Sequence, residues 1–340
     1  MPLVRNNGLN SWDLLQREGL DSIPPRQIAS ADLPEIHIGF LNMMPDRAFR
    51  ATERQFLRLL AKGADDCLVH IHPFVVSGQN RTDYVRGYID QNYSSFSDNQ
   101  PVRLNALVLT GANPGESDLR AEDFWPEFER VIRWADECVP TIMCSCLASH
   151  AVIDLFHGIK RTRCEPDKRW GVYSHRVISP NHPLVADMAS AFDSPRSHVF
   201  EMTATQLTSA GIEVLAYSQD ADFDIAVSSD GFKWIFLQGH LEYDAVSLLK
   251  EFNREVKRYI AGERSDYPGY PLNYLNDAAR DRLSRFESDL LAAIDHSTEL
   301  PAFPESEVVP TIVNTWKDNG QVLYRNWIRS IVRHAVTGPN

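Results

Sequence analysis

Short apolar runs that stop at a turn alternate with amphipathic helical stretches four times between residues 35 and 158. The apolar runs are EIHIGFLN (35–42), CLVHIHPFVV (67–76), ALVLTG (106–111) and PTIMCS (140–145). Apolar residues at helical spacing follow them in RATERQFLRLLAKG (50–63), YVRGYIDQNY (84–93), FWPEFERVIRWADEC (124–138) and CLASHAVIDLFHG (146–158). Such alternation is typical of right-handed crossovers. It predicts an α/β fold, a doubly wound and mostly parallel sheet flanked by helices.

The remaining sequence predicts additions to this sheet. Residues 159–200 look rich in loops, with short strands such as GVYSHRVI, and three more strand candidates follow in IEVLAYS, DIAVSSDG and FKWIFLQGH. A long helix is expected over residues 243–262. We therefore predict an N-terminal arm at residues 1–34, an α/β domain at 35–265, and a C-terminal helical extension at 266–340 that packs on that domain.

Charge and cysteine usage exclude several classes of protein. The formal charge of −12 argues against a nucleic-acid partner, which would need a basic surplus. Five irregularly spaced cysteines without a CxxC pair do not suggest a disulfide framework or a structural zinc site. The start of the chain lacks the apolar core of a signal peptide, and no run of about 18 apolar residues occurs. We expect a cytoplasmic protein with no bound metal and no membrane partner.

The segment TIMCSCLASHA (141–151) carries a candidate nucleophile. A strand, a sharp turn and a helix with a reactive residue at the turn form a nucleophile elbow, and Cys146 lies at that turn. The start of the helix favours a thiolate there, and the backbone N–H groups of Leu147 and Ala148 are candidates for an oxyanion hole. The alternative is that Cys146 is a small buried residue at a tight turn. Cys144, inside the strand, is expected to be structural.

A cysteine nucleophile needs a base and a group that orients the base. His240 follows the apolar strand WIFLQG, so it should project from the carboxyl end of the sheet, where α/β proteins bind ligands. Glu242 lies two residues further on and is the candidate orienting group. His150 is a rival base, although its position one turn along the helix points it away from the elbow. Five other histidines are interpreted as structural, namely His37, His70, His72, His175 and His182.

Two further features carry weaker signals. A glycine-containing turn in LTGANPGES (109–117) follows a strand that ends at the same sheet edge, but glycine after a strand most often marks only a turn. Basic residues follow MMPD and recur in KRTRCEPDKR (160–169), where they suit phosphates. Solvated helix and loop faces explain most of these basic residues better. Those on the first helix are Arg47, Arg50, Arg54 and Arg58.

The order of several sequence blocks resembles a known family. The blocks before residue 180 are NMMP (42–45), TERQFLRLL (52–60), LTGA (109–112), DFW (123–125), the cysteine elbow and DKRWGVYSHRV (167–177). Those after it are PRSHVFE (195–201), QGHLEYD (238–244), NTW (314–316) and RNWI (325–328). In this order they look like the homoserine O-succinyltransferase family, some members of which are called homoserine O-transacetylases. The resemblance covers roughly residues 35–330 and implies a class I glutamine-amidotransferase-like fold.

The resemblance also implies an activity and a set of site residues. The family's Cys–His–Glu triad falls on Cys146, His240 and Glu242, which implies a ping-pong acyl transfer from an acyl-CoA co-substrate, without a cofactor, to the hydroxyl of homoserine. The implied substrate-binding residues are Lys168, Ser197 and Arg254. In the family, one position of the TGA loop is related to the choice of acyl donor: members with glycine there use succinyl-CoA, and members with glutamate use acetyl-CoA. This position aligns with Gly115. The family also suggests a homodimer.

Three departures from the family pattern bear on the acceptor. In the elbow SCLAS, Leu147 and Ala148 follow the cysteine, where the family usually has Trp-Gly. His198 stands where an arginine is usual, and the segment between MMP and QFLRLL is two residues longer. A related amino acid is therefore an alternative acceptor, and acetyl-CoA an alternative donor. The residues alone also allow two other functions. One is a hydrolase or amidotransferase of the same fold, and the other is a non-catalytic scaffold.

Overall fold

The computed structural model describes residues 3–30, 33–96, 102–165 and 168–337. Its strands are β1 (Leu3–Val4), β2 (Glu35–Leu41), β3 (Leu68–Val75), β4 (Ser94–Ser95), β5 (Ala106–Leu109), β6 (Thr141–Ser145), β7 (Thr162–Arg163), β8 (Arg169–Val177), β9 (Ala191–His198), β10 (Phe200–Glu201), β11 (Glu213–Ser218), β12 (Asp222–Val227) and β13 (Trp234–Leu237). Its helices are α1 (Ser11–Arg17), α2 (Asp46–Gly63), α3 (Asp83–Asn92), α4 (Trp125–Cys138), α5 (Leu147–His157), α6 (Ala204–Ser209), α7 (Ser247–Ile260), α8 (Asp277–Asp295), α9 (Glu305–Val308) and α10 (Lys317–Thr337). None of these helices is both long and apolar enough to cross a membrane.

One eleven-stranded sheet organises the chain. Its strand order is β1-β3-β2-β5-β6-β13-β12-β11-β8-β9, with β4 beside β3. The pairs from β1 to β13 are parallel, and those from β13 to β9 are antiparallel. Separate apolar cores cover the two faces, one built with α2, α7, α8 and α10 and the other with α4, α5 and α6. The predicted α/β fold with a mostly parallel, doubly wound sheet is confirmed.

Most of the predicted strands and helices are confirmed, including β11, β12 and α7, and two local predictions were wrong. Helix α2 begins at Asp46 instead of residue 50, behind the extended Pro45. The description of residues 159–200 as loop-rich was wrong, because β8 and β9 pair over eight residues. The β9 sequence AFDSPRSH has little strand propensity. It is held instead by its register against β8 and by the buried ion pair of Arg196 with Asp224, whose Nη2 and Oδ1 atoms are 3.1 Å apart.

The first and last segments pack against the same helix. Strand β1 extends the sheet by pairing with β3, and α1 contacts α2. The Ser11 hydroxyl donates to the buried carboxylate of Glu53 on α2, which also accepts from the Tyr93 hydroxyl at 2.7 Å. Helix α10 crosses α2 so closely that a Cβ atom at Gly63 would lie 2.8 Å from the Arg325 nitrogen. The boundaries at residues 34 and 265 stay predictions.

The close crossing at Gly63 gives a stability prediction. Gly63→Ala forces the backbones of α2 and α10 apart, so we expect the free energy of unfolding in urea to fall by about 1–3 kcal/mol. Gly87→Ala on α3 is the matched control, since nothing lies within 4 Å of its added methyl group. This control should gain about 0.5–1 kcal/mol from helix propensity. Equal changes in the two variants would contradict the close crossing.

Candidate active site

Cys146 lies at a strained turn between β6 and α5. Its backbone adopts φ 50° and ψ −106°, a left-handed conformation that residues other than glycine rarely take. Its N–H group donates to the Leu237 carbonyl at 2.7 Å, which ties the turn to the end of β13. A side chain held in such a conformation at a cost of about 1–3 kcal/mol is typical of a functional position. The nucleophile elbow predicted from the sequence is therefore present, and its thiol is partly exposed.

Helix α5 begins immediately behind the thiol. Leu147 and Ala148 are its first two residues, so their N–H groups have no acceptor within the helix. The positive end of the helix dipole points at the same place. On the other side, Gly111 at the end of β5 lies beside the elbow, with its Cβ position 3.8 Å from the Cys146 Cβ atom. The N–H groups of Leu147 and Ala148 therefore stay the candidates for the predicted oxyanion hole.

The structure brings His240 and Glu242 to Cys146. The His240 Nδ1 atom is 2.7 Å from the Glu242 Oε1 atom, both side chains are buried, and the Cys146 thiol lies close enough to the His240 ring to raise its pKa. Burial alone would lower the pKa of His240. The Glu242 carboxylate and the hydrogen bonds to Cys146 and Glu242 outweigh burial and raise this pKa well above the ordinary value. The ring can therefore hold a proton next to the sulfur.

The backbone that carries His240 is fixed on both sides. A Cβ atom at Gly239 would lie 2.0 Å from the Ser194 Oγ atom and 2.3 Å from the Asp224 Oδ1 atom, so only glycine fits there. The His240 N–H group donates to the Pro195 carbonyl at 2.9 Å. Strand β9, which the sequence analysis missed, thus fixes the position of the His240 backbone.

Two arginines of α2 hold the loop that follows Glu242. Arg58 is 2.6 Å from the Asp244 Oδ1 atom and donates to the Glu242 carbonyl at 3.1 Å, and Arg54 pairs with the other oxygen of Asp244. Burial raises the pKa of Asp244, but Arg58 and Arg54 lower it by more. These arginines, considered for phosphate binding or as solvated charges, position the histidine–glutamate loop instead.

The rival residues occupy structural positions. Cys144 is fully buried in β6, and burial raises the pKa of its thiol well above the ordinary value. His150 is buried under the elbow with its Nε2 atom 2.5 Å from the Gln238 Oε1 atom, and burial lowers its pKa to about 4. The Gln238 amide nitrogen lies 3.9 Å from the Cys146 sulfur and 3.3 Å from the His198 Nδ1 atom. His150 therefore supports Gln238 and does not contact the thiol directly.

A cavity of about 650 Å³ opens in front of the thiol. Cys146, His240 and Tyr243 line its floor, and Gly111 to Pro114 form one wall. Its other walls carry a strong positive charge, since six basic side chains line them, namely Arg47, Arg161, Lys168, Lys250, Arg254 and Lys257. This concentration of cations in a chain of net charge −12 suits an anionic ligand.

Two of the three predicted substrate-binding residues converge on one carboxylate. Lys168 Nζ is 3.2 Å from the Glu251 Oε2 atom, and the Ser197 hydroxyl donates to that oxygen at 2.5 Å. The Tyr243 hydroxyl donates to the other Glu251 oxygen at 2.9 Å. Burial raises the pKa of Glu251, but Lys168 and Ser197 lower it by more. The sequence analysis missed Glu251, although its position on α7 three residues before Arg254 places both on one helix face.

Arg254 and Arg161 line the cavity in front of the thiol, whereas Gly115 does not. Arg254 lines the cavity and bonds to the Glu255 carboxylate at 2.9 Å. Arg161 donates to the carbonyls of Glu116 and Ser117 at 2.8 Å, which ties it to the TGA loop, and burial lowers its pKa while Cys146 opposes that shift. Gly115 is exposed beyond the cavity wall, with its Cβ position 4.0 Å from the Glu122 carboxylate.

Comparison with known proteins identifies the family. The family model described as homoserine O-succinyltransferase matches residues 2–337. The chain belongs to the homoserine O-succinyltransferase family. It is therefore an acyltransferase. A homoserine O-succinyltransferase of Methylobacter tundripaludum is 42% identical over 331 residues, which cover 97% of this chain and 93% of the relative. One of Thiothrix nivea is 44% identical, with 97% and 92% covered.

Glutamine amidotransferases are among the solved structures that partly resemble this member of the homoserine O-succinyltransferase family. A glutamine amidotransferase of Thermotoga maritima has a TM-score of 0.46 at 13% identity, covering 87% of this chain and 98% of that one. A glutamine amido transferase of Methylobacillus flagellatus has a TM-score of 0.48 at 13% identity, covering 88% and 95%.

One group of possible metal ligands borders the cavity of this family member. Ligand atoms of Cys164, His198 and Glu201 lie within 4.8 Å of one another. Glu201 is already paired with Arg169 at 3.1 Å. Burial lowers the pKa of His198 well below the ordinary value, and Arg196 adds to that shift. The positive charge of both arginines disfavours a further cation here.

The arrangement predicts how His240 titrates. Glu242→Gln removes the charge that opposes the effect of burial, so we expect the pKa of His240 to fall, measured from the ring ¹⁵N chemical shifts as a function of pH. Glu305→Gln, at the cavity rim, is the control and should leave this pKa unchanged. An unchanged value in Glu242→Gln would show that Glu242 does not set the charge of the ring.

Proposed function

We propose that the protein transfers a succinyl group from succinyl-CoA to the hydroxyl of L-homoserine through a thioester on Cys146. The observation that carries this proposal is the contact of Cys146 with the His240–Glu242 pair at the floor of a cavity lined by six cations. The family relationship supports the proposal, since the relatives from Methylobacter and Thiothrix are named homoserine O-succinyltransferases.

The first half-reaction acylates the cysteine. The Cys146 thiol gives its proton to His240, and the thiolate sulfur attacks the carbonyl carbon of the CoA thioester. The N–H groups of Leu147 and Ala148 stabilise the oxyanion. When the tetrahedral intermediate collapses, the bond from carbon to the CoA sulfur breaks. His240 then protonates the departing CoA thiolate, and the succinyl group remains on Cys146.

In the second half-reaction, His240 again accepts a proton first and then donates it. His240, now neutral, removes the proton of the homoserine hydroxyl while that oxygen attacks the acyl carbon. The bond from carbon to Cys146 breaks, and the sulfur recovers the proton from His240. Glu242 accepts from the other ring nitrogen throughout, so it holds the ring in one orientation and stabilises its charged form.

The charges of the cavity supply a place for each ionic group of the substrates. The buried Glu251 carboxylate suits the ammonium group of homoserine, and Arg254 on the same helix suits its carboxylate. Arg161, next to Cys146 and the TGA loop, suits the free carboxylate of the succinyl group. Arg47, Lys250 and Lys257 lie further along the cavity wall and suit the phosphates of CoA.

An acyl-enzyme assay tests the mechanism. With succinyl-CoA alone, intact mass spectrometry should detect one succinyl group on the protein, and homoserine should discharge it. Cys146→Ala should lose the adduct and reduce turnover by at least about a thousandfold, as removal of a nucleophile does elsewhere. Cys138→Ala, at an exposed free cysteine, is the control and should keep both. CoA release that does not respond to homoserine would instead indicate a hydrolase.

The choice of acyl donor is tested on the TGA loop. Gly115→Glu should reduce kcat/KM for succinyl-CoA relative to acetyl-CoA by at least about tenfold, because a like charge near the succinyl carboxylate costs several kcal/mol. Asn113→Glu is the informative comparison, since Asn113 lines the cavity directly. A shift of preference in Asn113→Glu alone would mean that the specificity position lies two residues earlier than Gly115.

A further inference from the structure

Three histidines and a glutamate form a cluster at the sheet edge opposite to Cys146. Glu35 and His37 lie at the start of β2, and His70 and His72 are the third and fifth residues of β3. His37 pairs with His70 in the parallel register of the two strands. Alternate residues of a strand point to the same face, so all four side chains project from one face of the sheet. None of them has a part in the proposed reaction.

The four side chains contact one another in two pairs. The His37 Nδ1 atom is 2.9 Å from the His72 Nε2 atom, and the His70 Nε2 atom is 2.8 Å from the Glu35 Oε2 atom. The His37 and His70 rings stack with 4.5 Å between their centroids. Ligand atoms of Glu35, His37 and His70 all lie within 4.8 Å of one another. Small side-chain rotations would therefore bring them around a single ion.

The contact between two imidazole nitrogens restricts where the protons can be. One nitrogen must donate and the other must accept, so His37 and His72 cannot both be charged. When His37 donates through its Nδ1 atom to His72, its Nε2 atom carries no proton and is free to bind a metal ion.

We propose that Glu35, His37 and His70 bind one divalent transition-metal ion, with His72 as the hydrogen-bonded partner that fixes the His37 ring. Two imidazoles and a carboxylate suit Zn²⁺ and its neighbours among the transition metals. A ring nitrogen held by an outer partner is the usual arrangement for a metal-binding histidine. The Glu35 side chain is 45% exposed, which gives an ion access from solvent and leaves a position for water.

The proposed ion joins β2 to β3 and goes beyond the acyl transfer. Each strand contributes ligands near its start, while the elbow lies beyond the carboxyl ends of the parallel strands. We therefore expect the ion to stabilise the fold without entering the reaction.

A Co²⁺ titration tests the site and distinguishes it from thiol ligands. Co²⁺ bound by nitrogen and oxygen shows d–d bands without the thiolate-to-cobalt charge-transfer band that Cys146 or Cys164 would produce. We expect one equivalent to bind the intact chain and to raise its melting temperature. Glu35→Gln and His37→Gln should weaken binding by at least about a hundredfold, and His72→Phe by about 10- to 100-fold, as loss of an outer partner does.

His296→Gln is the matched control, because His296 is exposed at the end of α8, away from the cluster. It should keep the wild-type affinity and the same rise in melting temperature. Glu35→Gln changes an exposed residue, so it tests the site even if His37→Gln fails to fold. Unchanged Co²⁺ affinity in Glu35→Gln, or a charge-transfer band in the wild-type spectrum, would overturn the proposal.

Discussion

The parallel pairing of β6 with β13 is the contact on which the site depends. Ser145 pairs with Leu237, and the bond from the Cys146 N–H group to the Leu237 carbonyl continues this register past the end of β6. Because both strands end at one edge, the residues that follow them meet there. A shift by a single residue would turn these side chains to the opposite face and separate Cys146 from His240.

The antiparallel half of the sheet supports His240 and contributes Ser197 to the cavity. Strand β9 supports Gly239 and His240 from below and carries Ser197 to the cavity. It is fixed by a fully buried arginine, Arg196, whose Nη2 atom lies 2.7 Å from His175 and donates to the Phe223 carbonyl at 2.7 Å. A charge without access to water is stable only with such partners, so this pairing holds β8, β9 and β12 in one arrangement.

Much of the fold and part of the site could be predicted because each signal is local in the sequence. Strand and helix periodicity gave the alternation, and Cys146 and His240 each follow a strand whose end is marked by a turn. Glu251 and Gln238 escaped prediction because their roles depend on neighbours more than fifty residues away. The β8–β9 pair escaped because register and a buried ion pair, not propensity, make β9 a strand.

The contacts of α10, and of Trp316 just before it, bear on the order in which parts of the chain reach their final packing. The Trp327 indole donates to the Thr141 hydroxyl at 3.1 Å at the start of β6, and the Trp316 indole donates to the Tyr243 carbonyl at 2.9 Å behind His240. These contacts span 186 and 73 residues, and contacts between distant residues form late in folding. Strand β6, which leads to Cys146, and the loop that carries His240 are therefore fully packed only when Trp316 and α10 are in place.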